Sequence, residues 1–140
     1  MESFKRKKGL FYLTLFLFLT LFDQLSKNLS FNKYSHSTCN TEFSLQLGFS
    51  WALFWLLWSG IILAGIYLFF YHKKWLSVAG YVPIILIFSG AASNTMDRLY
   101  FGCVRDIIPF FYNLFIFNLA DLFIFFGALI IIRNVLTKSV

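Results

Sequence analysis

The sequence predicts an all-α membrane protein. Four transmembrane helices are expected, with both termini cytoplasmic and a small extracytoplasmic β platform between helices 1 and 2. Three observations lead there. Hydrophobic residues make up 59% of the 140 and charged residues only 13%, too few charges to cover the surface of a soluble domain. The apolar residues fall in four long blocks, as they do when lipid is the solvent. Eight of the twelve Lys and Arg residues gather at the chain ends and in the alternate connection between those blocks, the distribution that the positive-inside rule produces.

The first span is expected over about 9–25. Basic residues Lys5, Arg6, Lys7 and Lys8 precede it, and such a run before a short apolar stretch can also be a secretory signal peptide. The stretch ends in Phe22-Asp23-Gln24, with no small-x-small cleavage pattern, and three more blocks follow. A retained first helix is therefore expected. The other spans are placed at about 51–71, 76–96 and 114–132, each near the ~20 residues that cross ~30 Å of hydrocarbon. Pro83 lies early in the third span, where neighbouring helices can absorb it. Residues 31–50 are polar, lack a helical period and are too short to span, so extended strands are expected there. No internal repeat or linker divides the chain, and residues 1–140 read as a single domain. With both ends inside, the cytoplasmic side carries Lys5, Arg6, Lys7, Lys8, Lys73, Lys74, Arg133 and Lys138. The outer side carries Lys27, Lys33, Arg98 and Arg105. Eight against four favours this orientation over its inverse.

The same distribution excludes a nucleic-acid partner despite the net charge of +6, because no basic stripe with interleaved aromatics remains. The twenty Phe residues occur in every apolar block and read as lipid-facing and packing bulk. Cys39 and Cys103 both fall in outer loops, where a disulfide and two unpaired thiols are both open readings. Neither lies at metal-ligand spacing from a His, so no metal and no cofactor are expected. His36 and His72 fall on opposite sides of the membrane and cannot share a site.

The six acids carry more information. All but Glu2 lie at or beyond the outer ends of spans: Asp23, Glu42, Asp97, Asp106 and Asp121. Fourteen residues separate Lys8 from Asp23, roughly 21 Å of helix at 1.5 Å per residue. Asp23 therefore sits below the outer headgroups. Eleven uncharged residues separate Asp121 from Arg133, roughly 18 Å on the same rise. Ionisable groups at such depth are costly and mark functional sites by default. Gly90, Asn94 and Asp97 are spaced i, i+4, i+7 and share a helix face, as do Asn118 and Asp121 at i, i+3. Two helices thus each bring one Asp and one Asn to the same side of the membrane, and the small residues from Ser89 to Ser93 permit close helix approach.

The runs Asn94-x-x-Asp97-Arg98 and Asn118-x-Ala120-Asp121 resemble the two signature motifs of lipoprotein signal peptidases (signal peptidase II). Asp23-Gln24-x-Ser26-Lys27 resembles that family's first motif, and Val104-x-Asp106 also fits. The resemblance covers nearly the whole chain. Ser89 and Ser93 stand where the family has Gly. The outer loop that usually reads Asn-x-Gly-x-Ala-Phe keeps only Asn40 in Asn40-Thr41-Glu42-Phe43-Ser44-Leu45.

The resemblance implies a bacterial inner-membrane aspartic endopeptidase with its site facing outward. It would remove signal peptides from diacylglyceryl-modified prolipoproteins by cutting before the lipidated cysteine. By position it implies Asp97 and Asp121 as the catalytic pair. It implies Asp23, Lys27, Asn40, Asn94, Arg98, Asp106 and Asn118 as supporting or substrate-binding residues. Lipid-modified prolipoproteins and membrane lipids are the partners expected, and a monomer is expected. Two carboxyls sharing a site hold one proton between them, so that one can donate while the other deprotonates water. Arg98 can neutralise a developing oxyanion or anchor at the headgroups. Two other readings are an inactive peptidase paralogue and a non-catalytic membrane adaptor or transporter subunit. The Gly-x-Gly-Asp motif of presenilin-like peptidases does not occur.

Overall fold

The computed structural model describes residues 2–31, 33, 37–41, 56, 59–60, 63, 67, 79–112 and 114–138. Three helices dominate them: α1 (Glu2–Ser30), α2 (Tyr81–Phe101) and α3 (Leu119–Lys138). Four short strands accompany the helices: β1 (Thr38–Asn40), β2 (Val104–Asp106), β3 (Ile108–Phe110) and β4 (Phe115–Phe117). Among the described residues, Lys7–Ser30 and Leu119–Thr137 are helical stretches long and apolar enough to cross a membrane. The expected second span, 51–71, lies outside the described residues except at 56, 59, 60, 63 and 67, each of which is helical.

Burial is inverted relative to a soluble protein. Among the described residues the buried apolar side chains include Ala79, Pro83, Cys103, Val104, Ile107 and Ala120. The buried polar ones are more numerous and include Asp23, Lys27, Asn94, Asp97, Arg105, Asp106 and Asn118. Large apolar side chains such as Leu10, Phe18, Leu21, Phe125 and Ile132 point outward. A polar interior with an apolar exterior is stable where hydrocarbon surrounds the helices.

The helix boundaries differ from the sequence expectations for local reasons. α1 runs on to Ser30 because Asp23 and Lys27, one turn apart, are both fully buried against α2 and pair with each other. α2 starts at Tyr81, after Gly80 at φ 86°. Pro83 then falls in the first turn, where its missing N–H costs no helical bond. The helix ends at Gly102, whose left-handed φ of 72° lets its N–H bond the Arg98 carbonyl, a glycine C-terminal stop. α3 begins at Leu119 and not near 114, because residues 115–117 pair as a strand with Ile108–Phe110.

The strands form two antiparallel ladders. β1 pairs with β2 (Thr38 opposite Asp106, Cys39 opposite Arg105), and β3 pairs with β4. A strand does form between the first two helices, as expected. Three of the four described strands, however, come from the connection between α2 and α3. A disulfide joins Cys39 to Cys103, with 5.5 Å between their Cα atoms. It resolves the open question about these cysteines and fastens β1 to the start of β2.

Two glycines bring α2 and α3 into close contact. A Cβ on Gly90 would run into the Ala120 carbonyl oxygen, and one on Gly127 would stand 2.7 Å from both the Ile87 Cγ1 and the Pro83 carbonyl oxygen. Small residues of this kind allow helix backbones to approach inside a membrane.

Candidate active site

The polar side chains converge where the ends of α1 and α2 meet the start of α3 and strand β2. Lys27 is fully buried and uses each of its three N–H groups. It lies 2.7 Å from Asp23 Oδ2, 3.2 Å from Asp97 Oδ2 and 2.8 Å from Asn94 Oδ1. An ammonium has three donors and no acceptor, so its requirement is met without water. Asp23 Oδ2 also accepts from Ser93 Oγ at 2.6 Å, and its Oδ1 accepts from the Ala120 backbone N–H at 2.9 Å. Asp23 thereby satisfies one of the orphan donors at the start of α3.

Asp97 is held on every side. Its Oδ1 accepts from Arg105 Nη2 at 2.8 Å and from Gln24 Nε2 at 2.9 Å. Its Oδ2 accepts from the Arg105 backbone N–H at 3.0 Å and faces Lys27. Arg105 completes the arrangement by donating to Gln24 Oε1 and Asn28 Oδ1. Lys27, Asp23, Asp97 and Arg105 therefore form a buried network of alternating charge.

Asp121 is placed by a reciprocal cap. Asn118 precedes α3; its Oδ1 accepts from the Asp121 N–H at 3.0 Å, while Asp121 Oδ2 accepts from the Asn118 N–H at 3.2 Å. This is the capping-box arrangement with Asn and Asp in the two roles, and it gives the Asn118-x-x-Asp121 spacing a local reason. Asp121 Oδ1 accepts from Asn94 Nδ2 at 2.8 Å. Asn94 thus carries the Lys27 charge on its oxygen and Asp121 on its nitrogen.

Asp106, at the end of β2, meets the same Asn118. Its Oδ1 accepts from Asn118 Nδ2 at 2.7 Å, and its Oδ2 accepts from Asn40 Nδ2 at 3.2 Å. The donors to Asp106 and Asp121 are neutral amides, in contrast to the cations on Asp97. Each of these oxygens retains acceptor capacity for a further partner. Burial, followed by the negative charge of Asp121, pushes the Asp106 carboxyl up to about 6, against the pull of Asn118, Asn40 and Lys27. Arg98 is half-buried and lies within electrostatic reach of Asp121, Asp106 and Asp97.

The structure therefore brings all the sequence-predicted site residues, Asp23, Lys27, Asn40, Asn94, Asp97, Arg98, Asp106, Asn118 and Asp121, into one region. Reasoning from the sequence missed Gln24, Asn28, Ser93 and Arg105 as members of the hydrogen-bonded set. Gln24 sits beside Asp23 in the first motif, and Arg105 is the variable position of Val104-x-Asp106. Ser26 bonds the Asp23 carbonyl at 2.7 Å, while Lys27 is engaged as described.

Buried carboxylates, amides and cations thus gather at the adjoining ends of α1, α2 and α3, helices with an apolar exterior. Residues 15–137 match the Signal peptidase (SPase) II family, and the chain belongs to that family. The chain is 34% identical over 122 residues to the lipoprotein signal peptidase of Bartonella bacilliformis, covering 84% of this chain and 66% of that one. It is 31% identical to that of Rickettsia africae, covering 83% and 68%. It is 35% identical to that of Rickettsia canadensis over a shorter stretch, spanning 41% of that relative. Against Rickettsia bellii it spans 36% of the relative's length. Two solved structures described as bacterial membrane enzymes share the fold. One has a TM-score of 0.70 at 26% identity over 91% of this chain and 88% of the other. The second has a TM-score of 0.66 at 27% identity over 89% and 92%.

Proposed function

We propose that this chain is an aspartic endopeptidase that removes signal peptides from lipid-modified prolipoproteins, cutting before the lipidated cysteine, and that Asp106 and Asp121 are its acid–base pair. The observation that carries the reading is that one residue, Asn118, binds both carboxylates, Asp106 through its side-chain amide and Asp121 through its backbone N–H. Two acids held this way hold one proton between them, because like charges at close range resist joint ionisation. The protonated member gives its proton to the leaving nitrogen, and the ionised member takes one from the attacking water. Arg98 is charged and within reach to stabilise the oxyanion that forms.

By motif position Asp97 is the expected partner of Asp121. Its surroundings favour a different role. Lys27 and Arg105 both sit on its oxygens, so a proton there would displace two ion pairs. Asp97 is better suited to neutralising these buried cations. Asp23, Lys27 and Asn94 extend that scaffold to Asp121, and Asn40 steadies Asp106. The lipid-facing helices present the substrate's acyl chains and signal helix to this site from within the bilayer, at the outer face of a bacterial inner membrane.

The test is cleavage by the purified protein of a diacylglyceryl-modified prolipoprotein and its unmodified precursor. Cleavage of the lipidated form alone, lost in Asp121→Asn, is the expected result. A protein that stays folded but cleaves neither substrate would favour the non-catalytic reading.

A further inference from the structure

Strand β2 is three residues long and lies in a two-stranded ladder with β1. An isolated two-stranded ladder is marginally stable at best, so this one cannot by itself hold a carboxylate to the tolerance that catalysis needs. Something else must fix it. Cys103, before the strand, is bonded to Cys39. Within the strand, the buried Arg105 donates to Asn28 and Gln24 of α1 and to Asp97 of α2. Its backbone N–H bonds the same Asp97 at 3.0 Å, and its guanidinium lies 4.2 Å from the centre of the Phe101 ring. Asp106 follows directly in the chain.

We propose that Arg105 is a positioning residue for the acid–base pair: its guanidinium clamps β2 to α1 and α2 and thereby sets where Asp106 presents its carboxyl to Asp121. The inference rests on the assignment of Asp106 to the pair. Its chemistry is that of a rigid planar fork. The guanidinium reaches three acceptors on two helices with donors held in one plane, a fixed geometry that the compact ammonium of a flexible lysine lacks. The side chain points to the scaffold while the next residue along the strand turns to the opposite face. The guanidinium thus reaches the scaffold, and its influence on the pair passes through the strand to Asp106. A shift of about 1 Å at a reacting group costs about 10²-fold in rate.

The experiment uses the full chain in lipid with a lipidated prolipoprotein, comparing Arg105→Gln, Arg105→Lys and Asp106→Asn. It reads kcat and KM separately, the pH profile of kcat/KM, and the melting temperature. The groups that govern Asp106 titration are Asp121, Lys27 and Arg98, with the amides of Asn40 and Asn118. Arg105→Gln is expected to lower kcat by about 10²-fold, to change KM little, and to move the limb of the profile that Asp106 sets. Arg105→Lys should restore part of kcat. A folded Arg105→Gln with normal kcat and an unmoved limb would overturn the proposal, as would a loss confined to KM. If Arg105→Gln fails to fold, the same two readouts in folded Arg105→Lys decide. Normal kcat with an unmoved limb there also overturns it. Asp106→Asn separates the two claims. If it is inactive while the Arg105 variants are normal, only the positioning role falls. If it turns over normally, the pair assignment falls and the positioning role with it.

Discussion

Asp106 shows how far a residue's role depends on what touches it. Its carboxyl is raised to about 6 by burial and by the charge of Asp121, so it keeps its proton to higher pH than a free carboxyl near 3.8. The protonated form is the one that can donate. Activity that needs it is present below about 6 and lost as pH rises through that value. The expected kcat/KM is therefore level just below this point and falls above it. A profile flat from mildly acidic to alkaline pH would remove Asp106 from the chemistry. The sequence puts Asp97 in the pair through its motif position, Asn94-x-x-Asp97-Arg98, in the family resemblance. Asp106 lies in a short connection whose path no periodicity reveals. Nor does spacing show that Arg105, eight positions after Asp97, returns to neutralise it. Ser93 is legible only as a departure from glycine. In the structure its hydroxyl binds Asp23 and receives Gln24.

The contact between α2 and α3 decides whether these residues meet at all. Gly90 faces the Ala120 carbonyl at the end nearer the site, one residue before Asp121, and Gly127 faces Pro83 and Ile87 further from it. The small-residue run from Ser89 to Ser93 is visible in the sequence and correctly indicates close helix approach. The start of α3 is not visible, because Leu114 to Phe117 is as apolar as the helix that follows, and only its pairing with β3 separates the two. Gly90→Val should push the helices apart where Asp121 is capped. An overpacked contact of this sort costs about 1–3 kcal/mol, measurable as a lower melting temperature, and activity should fall further than stability because Asn118 and Asp121 move. A Gly90→Val protein with unchanged melting and turnover would show that the close approach is dispensable.

At the scale of the whole molecule, the polar side chains gather at one end of the apolar helices, and the charge bias read from the sequence leads to the expectation that this end faces outward. A periplasmic reporter fused after Lys138 should be silent, and one placed near His36 active; the reverse would invert the orientation. The Cys39–Cys103 bond agrees with an oxidising compartment. It closes a loop of 64 residues, and disulfides typically contribute about 2–4 kcal/mol. Reduction, or Cys39→Ser with Cys103→Ser, should lower the melting temperature and slow cleavage by loosening β1 and β2. Unaltered rate and melting after complete reduction would deny the bond any part in holding the platform.

The central claim is that Asp106 and Asp121 perform the chemistry while Asp97 holds the scaffold. The most direct test measures cleavage rate and melting temperature together, on one lipidated substrate, for Asp97→Asn, Asp106→Asn, Asp121→Asn and the Asp106/Asp121 double variant. Asn keeps the shape of Asp but cannot exchange the proton, so Asp106→Asn and Asp121→Asn should each lose at least about 10² in rate with melting preserved. The double variant should be scarcely slower than either single one. Asp97→Asn should lose melting temperature, because it leaves buried Lys27 and Arg105 short of a counter-charge, a change worth about 3–5 kcal/mol. Near-normal cleavage by Asp106→Asn, together with an inactive but fully stable Asp97→Asn, would contradict the account and return Asp97 to the pair.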